Sequence, residues 1–226
     1  RSLWSIGAVA ARVSASYLDQ LAGRNDVLRI THDPPRQWLK ELGHLAPGAD
    51  DSPRRLQSAG SLVQLLPPEI PWNLNWIGAP AVWDQGYRGD CVLVGVLDTG
   101  VDLQHTDLAQ RLWRNAGEDP DNGIDDDQNG YIDDYNGYDF YNGPAGVPDA
   151  DPSDGDGHGT HVTGTILGDG TGGTATGVAP EARVMALKVI GGSTTTIATI
   201  VAAMEYAVGN GAQVLNLSIG KNCLPQ

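Results

Sequence analysis

The chain is 226 residues long but holds only two cysteines, two methionines and one phenylalanine. Two thiols cannot build a disulfide-held scaffold, and spacing alone leaves open whether Cys91 and Cys223 pair. Basic residues are scarce too: 14 Lys and Arg face 28 Asp and Glu, a formal net charge of −14. Such a balance argues against nucleic acid or an anionic membrane surface as a partner. No stretch approaches the ~18 consecutive apolar residues that span a bilayer. Arg1 to Ala11 has the basic start and apolar middle of a signal peptide, yet a strand–helix–strand pattern runs straight through it and argues against that reading. There are no internal repeats.

What is present suffices for a real core. The hydrophobic content is 40%, and the length allows one medium domain plus a small one. The 30 glycines point to many tight turns. The acidity is local: thirteen acids and no Lys or Arg lie between Glu118 and Asp156. A block of this kind is a solvated loop or a cation site more often than a folded face.

Taken in order, Ile6 to Val13 reads as a strand. Ser16 offers an N-cap with Asp19 three residues on, Leu18, Leu21 and Ala22 share a face, and Gly23 stops the helix. Asp26 to Ile30 reads as a returning strand, so residues 1–33 form a small α+β piece. Residues 34–70 read as an exposed linker, rich in Pro, Arg and Ser around Ala46 to Arg55. Residues 71–226 then alternate. Strand Cys91 to Leu97 delivers Asp98, and the acidic insertion follows Leu108. A helix spans His158 to Gly168, a Gly/Thr-rich loop runs to Gly177, and Arg183 to Val189 is the next buried strand. Thr194 to Gly209 is helical, with apolar residues at spacings of three, four and seven, and Ala212 to Leu217 is a further strand. Strands alternating with helices imply a parallel sheet with right-handed crossovers.

Two short segments carry the chemistry. An apolar strand that stops at Asp98-Thr99-Gly100 puts an acid where open α/β sheets place their sites, outside the carboxyl ends of the strands. In Asp154-Gly155-Asp156-Gly157-His158-Gly159-Thr160-His161-Val162, a histidine stands among small residues that let other groups approach it. An Asp that orients a His, itself the base to a nucleophile, is two-thirds of a serine-hydrolase triad. Asp98-Thr99-Gly100-Val101-Asp102 with His105-Thr106-Asp107-Leu108, then His158-Gly159-Thr160-His161-Val162, Gly177-Val178-Ala179-Pro180 and Leu215-Asn216-Leu217-Ser218-Ile219-Gly220, resemble four segments of the subtilisin-like serine peptidases, in that family's order. The resemblance covers roughly residues 71 to 226.

The resemblance implies a subtilisin-like parallel sheet flanked by helices, with Asp98 and His158 as triad members. Ser218, Ile219 and Gly220 match the family's segment that pairs with an extended peptide, a mode in which backbone hydrogen bonds supply affinity. His161 matches a residue that supports the site without being the base. The small α+β piece resembles the C-terminal part of the family's inhibitory prosegment, and Trp72 to Trp83 resembles its mature N-terminal segment. Maturation is then expected before Trp72, and Arg54-Arg55 reads as a processing site or as plain solvated charge. The family's nucleophile box and oxyanion asparagine have no match here. The chain is therefore expected to be a piece cut at both ends, with the serine beyond Gln226, and to be inactive alone. Thr106 and Thr163 depart from the family's usual residues, and the family's calcium site at Asp107 is in doubt.

Independently of any resemblance, Asp125-Asp126-Asp127-Gln128-Asn129-Gly130-Tyr131-Ile132-Asp133 fits the first nine positions of a calcium loop. The ligands would be Asp125, Asp127, Asn129, Tyr131 and Asp133. Position twelve, Asn136, is not the bidentate acid, so a loop outside the helix–loop–helix type is expected; an unliganded acidic loop is the other reading. Zinc at His158 and His161 lacks the i, i+4 spacing and the intervening Glu of helical zinc sites.

The expectation is a secreted, calcium-stabilised, monomeric serine endopeptidase precursor. It acts on peptide or protein substrates and is held by its own prosegment in cis. Two rivals differ in class: a non-catalytic calcium-binding protein that keeps the same front half, and a metal-dependent hydrolase.

Overall fold

A computed structural model describes the backbone at residues 2–3, 8–9, 15–24, 27, 29–31 and 36–37, and residues 70–220 apart from 142–146, 172–175 and 193. Its centre is a four-stranded sheet. Strand β4 (Leu93–Asp98) pairs in parallel with β6 (Arg183–Lys188) on one side and β8 (Val214–Asn216) on the other, and β6 pairs in parallel with β5 (Gly137–Asp139). The strand order is β5-β6-β4-β8.

The central strands read as nearly continuous apolar runs because both faces are covered, as parallel sheets require. Side chains alternate strictly. Val94 and Val96 of β4 and Val184 and Ala186 of β6 face one layer, with Val101, Leu108 and Leu167. Leu97, Met185 and Leu187 face the other, with Ile200, Ala203, Tyr206 and Ala207. Leu167 belongs to helix α4 (His158–Leu167), and the second group to helix α5 (Ile197–Gly209). The sheet thus lies between two helical layers, and the expected parallel α/β architecture is present.

Several boundaries differ from the expectations, each for a local reason. Strand β4 begins at Leu93 rather than Cys91, because Cys91 has a left-handed backbone (φ 63°) in the turn closed by Val92 N–H on Gly89 O. Helix α5 begins at Ile197 rather than Thr194: Thr196 is its N-cap, with Oγ1 accepting from Thr199 N at 3.1 Å, while Thr194–Thr195 form strand β7. The acidic block is more than a loop. Its Gly137–Asp139 segment is buried and forms an edge strand, and Tyr138 and Phe140 pack edge-on against each other and, with Tyr131 and Tyr206, form one aromatic cluster.

In the N-terminal piece, β1 (Ser2–Leu3) pairs antiparallel with β2 (Ala8–Val9), and helix α1 (Ala15–Ala22) follows. Val27, Arg29 and Ile30 carry no strand; Asp26 and Leu28, the rest of the expected returning strand, lie outside the described residues. Within the segment read as linker, β3 (Arg36–Gln37) pairs antiparallel with β7. Arg54-Arg55 and Cys223 lie outside the described residues. Two one-turn helices, α2 (Trp72–Trp76) and α3 (Ala79–Trp83), lead into the sheet.

Candidate active site

The sheet's carboxyl edge assembles the site. Asp98 is the last residue of β4, pinned by its carbonyl, which accepts from the N–H groups of Val189 and Ile190 at the end of β6. The chain then leaves through the acidic insertion and returns to the same place. Val101 bridges Ser153 in parallel, and Val101 N–H donates to Pro152 O at 3.0 Å. This closure makes a sequence separation of sixty residues short in space.

Asp154 then builds the start of α4. Its Oδ1 accepts from the N–H groups of Asp156 and Gly157 and from Thr99 Oγ1, each at 2.9 Å. Its Oδ2 accepts from Thr160 N at 2.9 Å and Thr160 Oγ1 at 2.6 Å. Thr99 Oγ1 in turn accepts from Gly159 N–H at 2.9 Å. Two otherwise orphaned N–H groups of the helix's first turn are satisfied in this way. Burial pushes the Asp154 carboxyl upward, but the hydrogen bonds from Thr160, Gly157 and Asp156 outweigh it and hold the group below the usual carboxylate range. Asp154 is therefore the cap that fixes the helix and ties it to the residue after Asp98.

The consequence is the pair itself. His158 Nδ1 lies 2.7 Å from Asp98 Oδ1, which also accepts from Thr99 N–H at 2.8 Å. The Asp98 side chain is 1% exposed, whereas that of His158 is 31% exposed. Gly159 makes the approach possible: a Cβ there would collide with the carbonyl oxygen of Gly100 and stand 3.2 Å from Asp98 Oδ1. A buried carboxylate accepting from Nδ1–H leaves the ring's lone pair on Nε2. Such an imidazole can take a proton from a hydroxyl and hold it.

Ser218, Ile219 and Gly220 follow β8 at this same edge. The register pairs Asn216 with Val96, so Ser218 stands two residues past that pair, as Asp98 does. Ser218 and Gly220 are exposed, and Ser218 Oγ accepts from Asn216 Nδ2 at 3.0 Å. His161 points elsewhere, into a cleft lined with Asp102, His105, Asp107 and Thr160. Among the described residues no trio of metal-ligating groups includes His158 or His161. Asp107 is buried, and residues 172–175 lie outside the described residues.

Within the insertion, Asp133 parts from the other residues of the calcium pattern. Asp125, Asp127 and Asn129 stay together: Asn129 N–H donates to Asp125 Oδ1 and Asp127 Oδ1, each at 3.0 Å. Tyr131 joins the aromatic cluster through its ring. Asp133 turns away to accept from the N–H groups of Asn122 and Gly123 at 2.9 Å. In its place the structure brings Glu118, whose carboxylate lies with those of Asp125 and Asp127. Sequence reasoning missed Glu118, which stands seven residues before the loop pattern. Its one local signal is the turn Asn115-Ala116-Gly117-Glu118, and burial of that acid is not readable from spacing.

Comparison with known proteins gives a family match. The model of the subtilase family matches residues 89–225. The minor extracellular protease Vpr of Bacillus subtilis is 36% identical over 157 residues, which cover 69% of this chain and 17% of that protein. Subtilisin DY of Bacillus licheniformis is 35% identical over 153 residues, 67% of this chain and 45% of that protein. Bacillopeptidase F of Bacillus subtilis is 28% identical over 208 residues, 92% of this chain and 13% of that protein. The chain thus spans less than half the length of these relatives.

Proposed function

The chain belongs to the subtilase family, and from this we propose that it is the front part of a serine endopeptidase precursor that cleaves peptide bonds. The observation that carries the reading is the short contact of His158 Nδ1 with the buried Asp98 carboxylate. In this mechanism His158 Nε2 takes the proton of a serine hydroxyl as its oxygen attacks the scissile carbonyl. It later returns that proton to the departing amine. Asp98 keeps the ring in the tautomer whose Nε2 is free and stabilises the imidazolium that forms. The serine comes from beyond residue 226, so these residues alone perform no acyl transfer. Peptide or protein substrate lies extended along Ser218, Ile219 and Gly220, with main-chain hydrogen bonds as the common recognition.

Residues 1–33 act as the C-terminal part of a prosegment in cis, with maturation before Trp72. The antiparallel pairing of Arg36–Gln37 with Thr194–Thr195 supports this, since it lays an upstream strand on the catalytic part a few residues past the carboxyl end of β6. The acidic insertion holds structural calcium, with Asp125 and Asp127 among the ligands; an oxygen-rich set of carboxylates suits a hard cation. The mature protein works outside the cell as a monomer. Among the described residues no helix is long and apolar enough to cross a membrane.

Peptidase assays on the full-length gene product test the reading. Asp98→Asn is expected to lower kcat by about 10⁴ and His158→Ala by about 10⁶, with KM little changed. Activity that survives His158→Ala would exclude the triad role.

A further inference from the structure

Within the acidic insertion, Asp139 is paired with Lys188, but no ion pair among the described residues involves Glu118, Asp125 or Asp127. Glu118 is only 6% exposed. Its Oε1 accepts from the N–H groups of Asp126 at 2.9 Å and Asp127 at 3.1 Å, which fixes the carboxylate's direction. Its Oε2 is fully buried and meets no hydrogen-bond partner. Oxygens of Glu118, Asp125 and Asp127 all lie within 4.8 Å of one another. A buried, ionisable oxygen left without a donor is strongly unfavourable, and two like charges beside it raise the cost. The chain approaches itself tightly to create this crowding: a Cβ on Gly117 would stand 2.7 Å from Asp127 Cβ.

We infer that Glu118, Asp125 and Asp127 are the carboxylate ligands of one calcium ion, with Glu118 Oε2 as its buried ligand, and that Asp133 is not a ligand. This rests on the calcium reading above and replaces the loop-pattern ligand set with one that spans two segments. Oxygen-only donors with three negative charges match a hard divalent cation and offer nothing to a soft one.

The neighbours brace the ligands and carry the effect inward. Asn115 Nδ2 donates to Asp127 Oδ2 at 3.0 Å and Asp134 Oδ1 at 2.8 Å, and Asn129 Nδ2 donates to the same two carboxylates. Asp134, wholly buried, accepts from the Tyr206 hydroxyl of α5 at 2.5 Å. Burial, with the Asp134 carboxylate beside it, holds the Tyr206 hydroxyl far above its ordinary pKa, so it stays a donor. The ion therefore clamps the insertion to the helix beneath the sheet.

The test uses the full-length gene product with His158→Ala to prevent self-digestion, stripped of metal and titrated with calcium by calorimetry. Melting is followed with and without calcium by near-ultraviolet circular dichroism. Glu118→Gln is expected to remove one calcium site or weaken it at least roughly tenfold. In chelator it melts at or above the parent temperature, because the orphaned buried charge is gone. Asp125→Asn should lose the same site, and Asp133→Asn should keep calcium affinity within about twofold of the parent. Unchanged binding in Glu118→Gln, or a loss in Asp133→Asn as large, overturns the ligand set and leaves the calcium reading intact. A Glu118→Gln protein that melts lower in chelator marks a purely structural acid and also overturns it. No calcium binding by the parent sinks both.

Discussion

At the scale of single residues, the site depends on how closely two backbones meet. Gly159 sits against Gly100 and Asp98 with no room for a methyl group. Gly159→Ala is expected to push α4 away from β4. A displacement near 1 Å at a catalytic pair costs about 10²-fold in rate, and overpacking of this kind costs about 1–3 kcal/mol of stability. Kinetics and urea unfolding of the full-length variant check both; activity within threefold of the parent would contradict the close-approach argument. Asp98 and His158 were legible in the sequence because each sits in a short segment whose local chemistry is self-contained, a strand ending in an acid and a histidine among glycines. Asp154 stands in the same segment as the histidine. That it satisfies Thr99, Asp156, Gly157 and Thr160 at once depends on the insertion returning to Val101, which no local pattern encodes.

At the scale of elements, long apolar periodicity gave β4, β6 and α5 with boundary errors of three residues or fewer. Short elements inside polar surroundings were invisible. Strand β5 has only three residues, set among acids, so its alternation is too brief to register, yet it places Asp139 against β6. Burial pushes the Asp139 carboxyl up to about 6; the Tyr141 N–H and the Lys188 ammonium oppose this only in part, and Asp149 adds to the rise. The sign follows directly. Between the ordinary carboxylate value, about 3.9, and about 6, the folded chain holds a proton that the unfolded chain has lost. The Asp139 contribution to stability is thus greatest below that window and declines as pH rises through it. Asp139→Asn should remove this slope. Denaturation midpoints of parent and variant from pH 3.5 to 7 measure it, and parallel curves would refute the assignment.

At the scale of the molecule, two helical layers and a parallel sheet bring the end of β4, the start of α4 and the segment after β8 to one edge. The acidic insertion closes on that edge and braces the far side through Tyr206. The outer edge of β8 has no strand partner among the described residues, and open sheet edges invite further pairing. The fold class was readable because alternation of strands and helices is a whole-chain property. The convergence of Glu118 with Asp125 was not, because it joins two segments across a turn. The most direct test of the central claim is labelling of the full-length gene product with a serine-directed phosphonate, followed by peptide mapping, in the parent and in His158→Ala. The expected result is one labelled serine outside residues 1–226, with labelling abolished in His158→Ala. Absence of labelling, or labelling indifferent to His158, would contradict the assignment of Asp98 and His158 to a serine peptidase triad.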